Sequence, residues 1–79
     1  MHQLTEREEE VLKAVIVEYI QTAGPVGSQV VVDEFMSSVS PATVRNEMAI
    51  LEQDGLLYQP HTSAGRIPTE RGFRYYIRS

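Results

Sequence analysis

Five residues between positions 40 and 46 have side chains that suit contact with nucleic acid. In chain order they are Ser40, Ala42, Thr43, Arg45 and Asn46. Asn and Arg can form paired hydrogen bonds with the edges of adenine and guanine, and hydroxyl groups can donate to phosphate oxygens. A small residue such as Ala42 lets a helix approach another surface closely. Whether these residues can contact nucleic acid depends on the secondary-structure element that carries them.

The segment that begins at Ser40 has the pattern of a capped amphipathic helix over about 41–54. Ser40 is a favoured N-cap, and Pro41 suits the first helical position. Three apolar residues follow at the i, i+4 and i+7 spacing of a buried stripe, namely Val44, Met48 and Leu51. At about 100° per residue, that stripe leaves Ala42 and Asn46 pointing away from the core. The candidate contacts are therefore expected on the exposed side of one helix.

Two helices are predicted ahead of this segment. Thr5 followed by Glu8 is a capping box, and apolar residues at helical spacing then predict a first helix over about 6–21. The apolar residues of its predicted face are Val11, Leu12, Val15, Ile16, Tyr19 and Ile20. Ser28 can cap a second helix over about 29–36, although its three consecutive valines prefer strand. A short turn leads from there to the third helix, which is the helix-turn-helix arrangement.

Signals after the third helix predict a β-hairpin over about 56–68. Gly55 can supply the left-handed conformation that ends a helix, and two short strand-like segments flank a loop of small residues. Thr69 can then cap a fourth helix, whose predicted apolar face is formed by Phe73, Tyr76 and Ile77. A hairpin directly after a helix-turn-helix is a wing. The predicted fold is mainly α with a small β-hairpin, a winged helix-turn-helix with three core helices, a wing and the start of a fourth helix in a single domain over 1–79.

Four residues of the predicted wing could contact DNA, namely His61, Thr62, Ser63 and Arg66. Arg66 lies where the hairpin turns back, and small residues before it leave room to reach a phosphate or the minor groove. The other three could donate to phosphate oxygens. An exposed loop arginine often serves only solubility, and the other three also suit turn formation, so both interpretations stay open for each.

The composition argues against several kinds of site. The 79 residues include no Cys and two His, which leaves no disulfide and no recognisable metal site. No paired carboxylates or activated nucleophile can be identified, so neither a catalytic site nor a cofactor is expected. The longest apolar run, Ala14 to Val17, is far shorter than the ~20 residues of a membrane span. A soluble, cytoplasmic protein is expected.

The formal net charge of −4 argues at first against a nucleic-acid partner. However, ten of the eleven acidic residues precede position 61, whereas four of the seven basic residues follow it. The basic end of the chain is therefore local and could supply phosphate contacts. Three of its arginines share one face of the last predicted helix, where solvation is the simpler interpretation, namely Arg71, Arg74 and Arg78.

Seven motifs follow one another along nearly the whole chain. They are Leu4-Thr5-Glu6-Arg7, Pro25-Val26-Gly27-Ser28, Ser40-Pro41-Ala42-Thr43-Val44-Arg45-Asn46-Glu47-Met48, Leu51-Glu52, Gly55-Leu56-Leu57, Gln59-Pro60-His61-Thr62-Ser63-Ala64-Gly65-Arg66-Ile67-Pro68-Thr69 and Gly72-Phe73-Arg74-Tyr75-Tyr76. In this order the motifs closely resemble the N-terminal winged-helix domain of the heat-inducible transcription repressor HrcA family.

The resemblance implies a repressor of heat-shock chaperone genes. Such a repressor binds double-stranded DNA with an inverted repeat, the CIRCE operator, as a homodimer, and the chaperonin GroEL is a further partner. Carried over by position, the residues that would read the major groove and its phosphates are Ser40, Thr43, Arg45 and Asn46. Those that would form the wing contact are His61, Thr62, Ser63 and Arg66.

The chain departs from the family pattern in two places. Ser28, at the start of the second helix, belongs to the predicted DNA-binding set, but the residue after it, often basic in the family, is Gln29 here. The family also has a long C-terminal region for dimerisation and regulation, which these 79 residues do not include. The domain over 1–79 is therefore expected to be the N-terminal part of a longer repressor, with a short relative that binds differently as the alternative.

Two other functions stay open from the sequence. The acidic net charge favours a winged helix that serves as a protein-interaction module without specific DNA binding. A nonspecific binder of structured nucleic acid is the other alternative. A steep loss of affinity with salt would favour any nucleic-acid binder over the interaction module, and competition with scrambled duplex would detect specificity.

Overall fold

The chain folds into four helices and one two-stranded antiparallel hairpin in the parts that the computed structural model describes, residues 3–60 and 65–78. In order they are α1 (Glu6–Thr22), α2 (Ser28–Glu34), α3 (Pro41–Gln53), β1 (Leu57–Tyr58), β2 (Ile67–Pro68) and α4 (Glu70–Arg78). The mainly α architecture with a small hairpin is as predicted. Over these ranges, no helix combines the length and apolar character needed to cross a membrane.

Helix α1 begins at the predicted capping box. The Thr5 hydroxyl accepts a hydrogen bond from the Glu8 amide at 3.1 Å, and the Thr5 amide donates to the Glu8 carboxylate at 2.9 Å. The predicted apolar face is buried through its middle turns, but Ile20 in the last turn is 64% exposed. The apolar face of α1 therefore extends one turn beyond the part that other elements cover within residues 3–60 and 65–78.

Helix α2 forms despite its three valines. Val31 is fully buried, so tertiary packing outweighs the intrinsic strand preference. The predicted cap is wrong by one residue: Gly27 is the N-cap, no side chain caps the helix, and Ser28 is its first helical residue. The Ser28 hydroxyl is consequently available for a contact outside its own helix.

Helix α3 has the predicted cap and the predicted stripe. The Ser40 hydroxyl accepts a hydrogen bond from the Thr43 amide at 3.1 Å, and Pro41 occupies the first position. The stripe of Val44, Met48 and Leu51 is at most 1% exposed. The helix ends at Gln53 with Asp54 as its C-cap, and Gly55 after the cap has a φ of 78°, the left-handed conformation expected from the sequence.

The core lies between α1, α3 and the base of the hairpin. Its largest fully buried side chains are Leu12, Ile16, Met48, Leu51 and Leu57. Each such side chain contributes roughly 1.5–3 kcal/mol when buried, a substantial part of the ~5–15 kcal/mol that stabilises a small domain. This core sets the position of α3 relative to the rest of the chain.

The hairpin and α4 complete the fold. Leu57 pairs with Pro68 and Tyr58 with Ile67. Thr69 then caps α4: its hydroxyl accepts from the Gly72 amide at 3.0 Å and donates to the Gly55 carbonyl at 2.6 Å. The wing therefore leaves and returns next to the end of α3.

Helix α4 packs on α1 mainly through aromatic residues. The rings of Tyr19 and Phe73 have centroids 6.1 Å apart, and the Tyr75 hydroxyl donates to the Glu9 carboxylate at 2.7 Å. Ile77, on the predicted apolar face with Phe73 and Tyr76, is 77% exposed. As at Ile20, the apolar pattern continues past the surface that neighbouring elements can cover.

Candidate nucleic-acid interface

The exposed residues of α3 are small or polar, and none of them is acidic. They are Ala42, Arg45, Asn46, Ala49 and Gln53, and Thr43 beside them is half-buried. This is the arrangement that the buried stripe predicted. Because Arg45 is the only ionised group among these residues, the face is locally positive although the whole chain is acidic.

The first turn of α3 is held by two hydroxyl groups. Besides capping the Thr43 amide, the Ser40 hydroxyl lies 3.0 Å from the Thr43 hydroxyl. The first amides of a helix have no partner inside it and carry the positive end of the helix dipole. Pro41 has no N–H and the Thr43 amide is capped by Ser40, so the donors of this turn are the Ala42 amide and the two hydroxyls, which are of the kind that binds a phosphate oxygen.

Arg45 connects α3 with the start of α2. Its Nη1 donates to the Ser28 hydroxyl at 3.4 Å, which is long for a hydrogen bond. Such a weak contact orients the guanidinium without holding it tightly, so a phosphate or a guanine could replace it at small cost. The structure thus brings Ser28 into the group of predicted site residues, through a contact rather than as a cap.

The Gln29 side chain forms its hydrogen bond within α2. Its side-chain amide donates to the Asp33 carboxylate at 2.8 Å, one turn further along α2. At the position where the resembling family often has a basic residue, this chain therefore has a neutral side chain engaged within its own helix.

The base of the wing is joined to the loop before α2. Val26 and Arg66 pair antiparallel and exchange two backbone hydrogen bonds of 2.9 Å. Gly65 packs so closely that a Cβ atom built on it would lie 2.9 Å from the Pro25 Cβ and 3.0 Å from the Val26 nitrogen. The absence of a side chain at Gly65 permits this approach.

The Arg66 side chain faces α3. Its Nε forms a 2.9 Å ion pair with Glu52, and its Nη1 lies 3.5 Å from the Gly65 carbonyl oxygen. The side chain is only 17% exposed. The sequence suggested an exposed loop arginine, but the fold holds this one against α3. Sequence reasoning did not single out Glu52, since 14 positions separate it from Arg66 and no local pattern links them.

The remaining predicted site residues, His61, Thr62 and Ser63, lie outside the described ranges. Elsewhere the structure gathers the candidates into two groups. Ser28, Ser40, Thr43, Arg45 and Asn46 belong to the first half of α3 or contact it. Arg66 contacts Glu52, which follows Asn46 by six residues and therefore lies ~9 Å further along the axis of α3.

Metal chemistry finds no support in the described residues. Among them, no group of three or more His, Cys, Asp or Glu residues could hold a metal ion. The largest concentration of acidic side chains is the first turn of α1, where Glu6, Glu8 and Glu9 complement the helix dipole.

Curated proteins similar to this chain carry the same name. The heat-inducible transcription repressor HrcA of Moorella thermoacetica is 58% identical over 94% of the chain, and those of Nodularia spumigena and Desulforudis audaxviator are 57% and 54% identical over 95% and 94%. The chain spans about a fifth of the length of these relatives, 20–22%. No protein-family model matches it.

A solved structure has the same fold. It is a crystal structure described as that of a hypothetical protein, with a TM-score of 0.90 and 48% sequence identity over 95% of this chain and 24% of that chain. The fold agrees with a winged helix. Over nearly its whole length, therefore, the chain is homologous to the N-terminal part of the HrcA family of heat-inducible transcription repressors.

Proposed function

We propose that this chain is the sequence-specific DNA-binding domain of a transcriptional repressor of heat-shock and chaperone genes. The observation that carries the proposal is the outward face of α3, where Arg45 and Asn46 are exposed among small and neutral side chains. The name shared by the homologues supports a repressor role, which itself implies DNA binding.

The first half of α3 enters the major groove in this proposal. Asn46 contacts a base edge, for which the adenine edge has the matching donor and acceptor. Arg45 exchanges its long contact with Ser28 for a guanine or a phosphate. The small side chain of Ala42 permits the close approach that such contacts need.

Phosphate contacts fix the orientation of the helix. Ser40 and Thr43 lie beside the Ala42 amide in the first turn of α3, and Ser28 lies beside Arg45. Contacts of this kind position a protein on the duplex without reading its sequence. The wing, which carries His61, Thr62, Ser63 and, at its base, Arg66, lies along the neighbouring backbone or minor groove.

The longer protein would act as a homodimer. Two copies of the domain over 1–79 would then read the two halves of an inverted repeat, the CIRCE-like operator, and the chaperonin GroEL would be a regulatory partner in the cytoplasm. A single copy is expected to bind weakly, because joining two half-site contacts in one molecule raises the effective concentration of the second.

Selection of bound duplexes from a random pool tests this function. The expected result is enrichment of a half-site, and fluorescence anisotropy should then show tighter binding to it than to a scrambled duplex of equal length. Affinity should fall steeply with salt, by a slope of about 0.9 per phosphate neutralised in a plot of log K against log salt concentration. Failure to bind any duplex at low salt would contradict the proposal.

A protein-interaction module is the second candidate. The net charge of −4 and the acidic first turn of α1 favour it, since both oppose binding to a polyanion. The protein-interaction module is favoured if the random pool yields no enriched duplex and added duplex does not change the fluorescence anisotropy at any salt concentration.

A further inference from the structure

We propose that Arg66 promotes DNA binding by positioning the wing through Glu52, and that its charge does not itself contact the DNA. The inference rests on the proposed function, since it concerns how that DNA-binding surface is assembled. Glu52 becomes a positioning residue for the wing, although an acidic residue on a DNA-facing helix would ordinarily oppose binding.

Arg66 is held by both its side chain and its backbone. Its Nε donates to Glu52 at 2.9 Å, and its amide and carbonyl bond to Val26 at 2.9 Å each. With 17% of the side chain exposed, the guanidinium is largely removed from the solvent that a phosphate would have to approach through. The charge is already partnered before any DNA arrives.

A move of the Arg66 guanidinium from Glu52 to a DNA phosphate would lose more free energy than the new contact would provide. A phosphate contact through Nε would have to break a charge-assisted hydrogen bond and would leave the Glu52 carboxylate, 38% exposed, without that partner beside a polyanion. Paired, the two groups have no net charge, so they neither attract nor repel the duplex strongly. Retention of the pair is therefore favoured in the complex as well as in the free protein.

The position of the pair explains what it does. Glu52 is in the last turn of α3, and Arg66 immediately precedes β2. The pair thus joins the recognition helix to the returning strand of the wing. The Val26 bonds fix the same residue to the loop before α2, so the wing is oriented relative to both helices of the helix-turn-helix.

Neutralisation of Glu52 is the sharpest test. Removal of a negative charge near DNA should raise affinity if only electrostatics matter. Positioning requires the opposite: Glu52→Gln should weaken binding to the selected duplex by about three- to tenfold, the range of a part-buried ion pair. Glu47→Gln is the matched control, because Glu47 is a half-buried acid of the same helix, and its neutralisation should leave affinity equal or higher.

Substitutions at Arg66 separate charge from geometry. Arg66→Lys keeps the charge but loses the planar Nε donor, so positioning predicts a loss close to that of Arg66→Gln, whereas a charge contact predicts near-normal binding. The double variant Glu52→Gln with Arg66→Gln should bind no more weakly than either single variant. The charge-reversed pair, Glu52→Arg with Arg66→Glu, should recover affinity relative to Arg66→Glu alone.

A measurement without DNA separates this inference from the proposed function. Amide hydrogen exchange should be faster at Val26 and Arg66 in Glu52→Gln than in the unmodified chain, with circular dichroism used to confirm that each variant is folded. Unchanged exchange at these amides in Glu52→Gln would overturn the inference. It would also be overturned if Glu52→Gln binds DNA with unchanged affinity while Arg66→Gln reduces the salt slope by about one. If the unmodified chain binds no DNA, both the proposed function and the positioning role of Glu52 are contradicted. If the chain binds DNA equally well with and without Glu52, only the positioning role is contradicted.

Discussion

The backbones of Val26 and Arg66 exchange two hydrogen bonds of 2.9 Å each, across 40 positions of the sequence. This pairing adds one residue of the loop before α2 to the edge of the hairpin. The wing is therefore attached to the helix-turn-helix at a second place, in addition to its covalent link at the end of α3. Predictions about the wing follow directly from this attachment.

Gly65→Ala should destabilise the protein and displace the wing. The new methyl group would overlap Pro25 and the Val26 backbone, neither of which can move without disturbing the Val26–Arg66 pairing. We expect a loss of about 1–3 kcal/mol in the free energy of unfolding, measured by urea denaturation. Gly24→Ala is the control, since its methyl group would lie at an ordinary 3.9 Å from the Thr22 carbonyl oxygen. Equal stabilities for the two variants would contradict the close approach.

Ser40→Asp should separate stability from DNA binding. Asp caps a helix about as well as Ser, so the free energy of unfolding should stay within about 0.5 kcal/mol. A carboxylate beside the first turn of α3 would, however, repel the proposed phosphate, and anisotropy should show clearly weaker binding. Ser40→Asn is neutral and also a good cap, so it should retain both properties better. Unchanged affinity in Ser40→Asp would argue against a phosphate at this helix start.

Asn46→Ala should relax sequence preference. Loss of a paired contact to a base edge costs about 1–3 kcal/mol of discrimination, so affinity for the selected duplex should approach affinity for a scrambled one. The control is Gln53→Ala, an exposed amide on the same face two turns later, outside the half of α3 proposed to enter the groove. If both substitutions reduce sequence discrimination equally, the proposal that the first half of α3 makes the base contacts is contradicted.

Ala23→Gly should stabilise the protein. Ala23 ends α1 with φ 57° and ψ 26°, a left-handed conformation that is strained for a residue with a Cβ atom. Gly removes that strain, and we expect a gain of about 0.5–1 kcal/mol in thermal or urea unfolding. The same substitution at Ala49, exposed within the right-handed α3, should cost about 1 kcal/mol. A destabilised Ala23→Gly would contradict the left-handed cap.

Alkaline pH should weaken the contact between α4 and α1. The hydrogen bond to Glu9, followed by desolvation and the negative charge of Glu9 and Glu8, raises the pKa of the Tyr75 hydroxyl above its ordinary 10.0. The folded state therefore favours the neutral phenol: its contribution is complete below the unfolded pKa and is lost as pH rises through the folded pKa. Urea unfolding of the unmodified chain should lose more stability above pH 10 than Tyr75→Phe loses. Tyr58→Phe, which leaves this contact intact, should behave like the unmodified chain.

Local signals in the sequence were sufficient to predict the N-caps of α1, α3 and α4, whereas the N-cap of α2 is Gly27 and not the predicted Ser28. The capping box at Thr5, the Ser40 cap with Pro41 after it, and the left-handed Gly55 each depend on backbone groups within about four residues. The buried stripe of α3 follows from helical periodicity alone. For this reason the outward position of Arg45 and Asn46 could be predicted before any tertiary contact was known.

The limits of the apolar faces depended on tertiary packing. Ile20 and Ile77 continue the periodic patterns of α1 and α4, yet both are exposed. Periodicity identifies the side of a helix that faces the core, but the neighbouring elements decide how far along that side the cover extends. The contact between Ser28 and Arg45 is likewise a result of how α2 crosses α3.

The sequence by itself determined the elements of this protein, the N-caps of α1, α3 and α4, and the outward position of Arg45 and Asn46 on α3, because those features arise from interactions within a few residues. Only the tertiary structure decided that Arg66 turns toward Glu52 and that its backbone pairs with Val26. These partners lie 14 and 40 positions away in the chain, and nothing in their local sequence specifies the pairing. Their meeting depends on the shared core of α1, α3 and the hairpin, which brings the wing against α3.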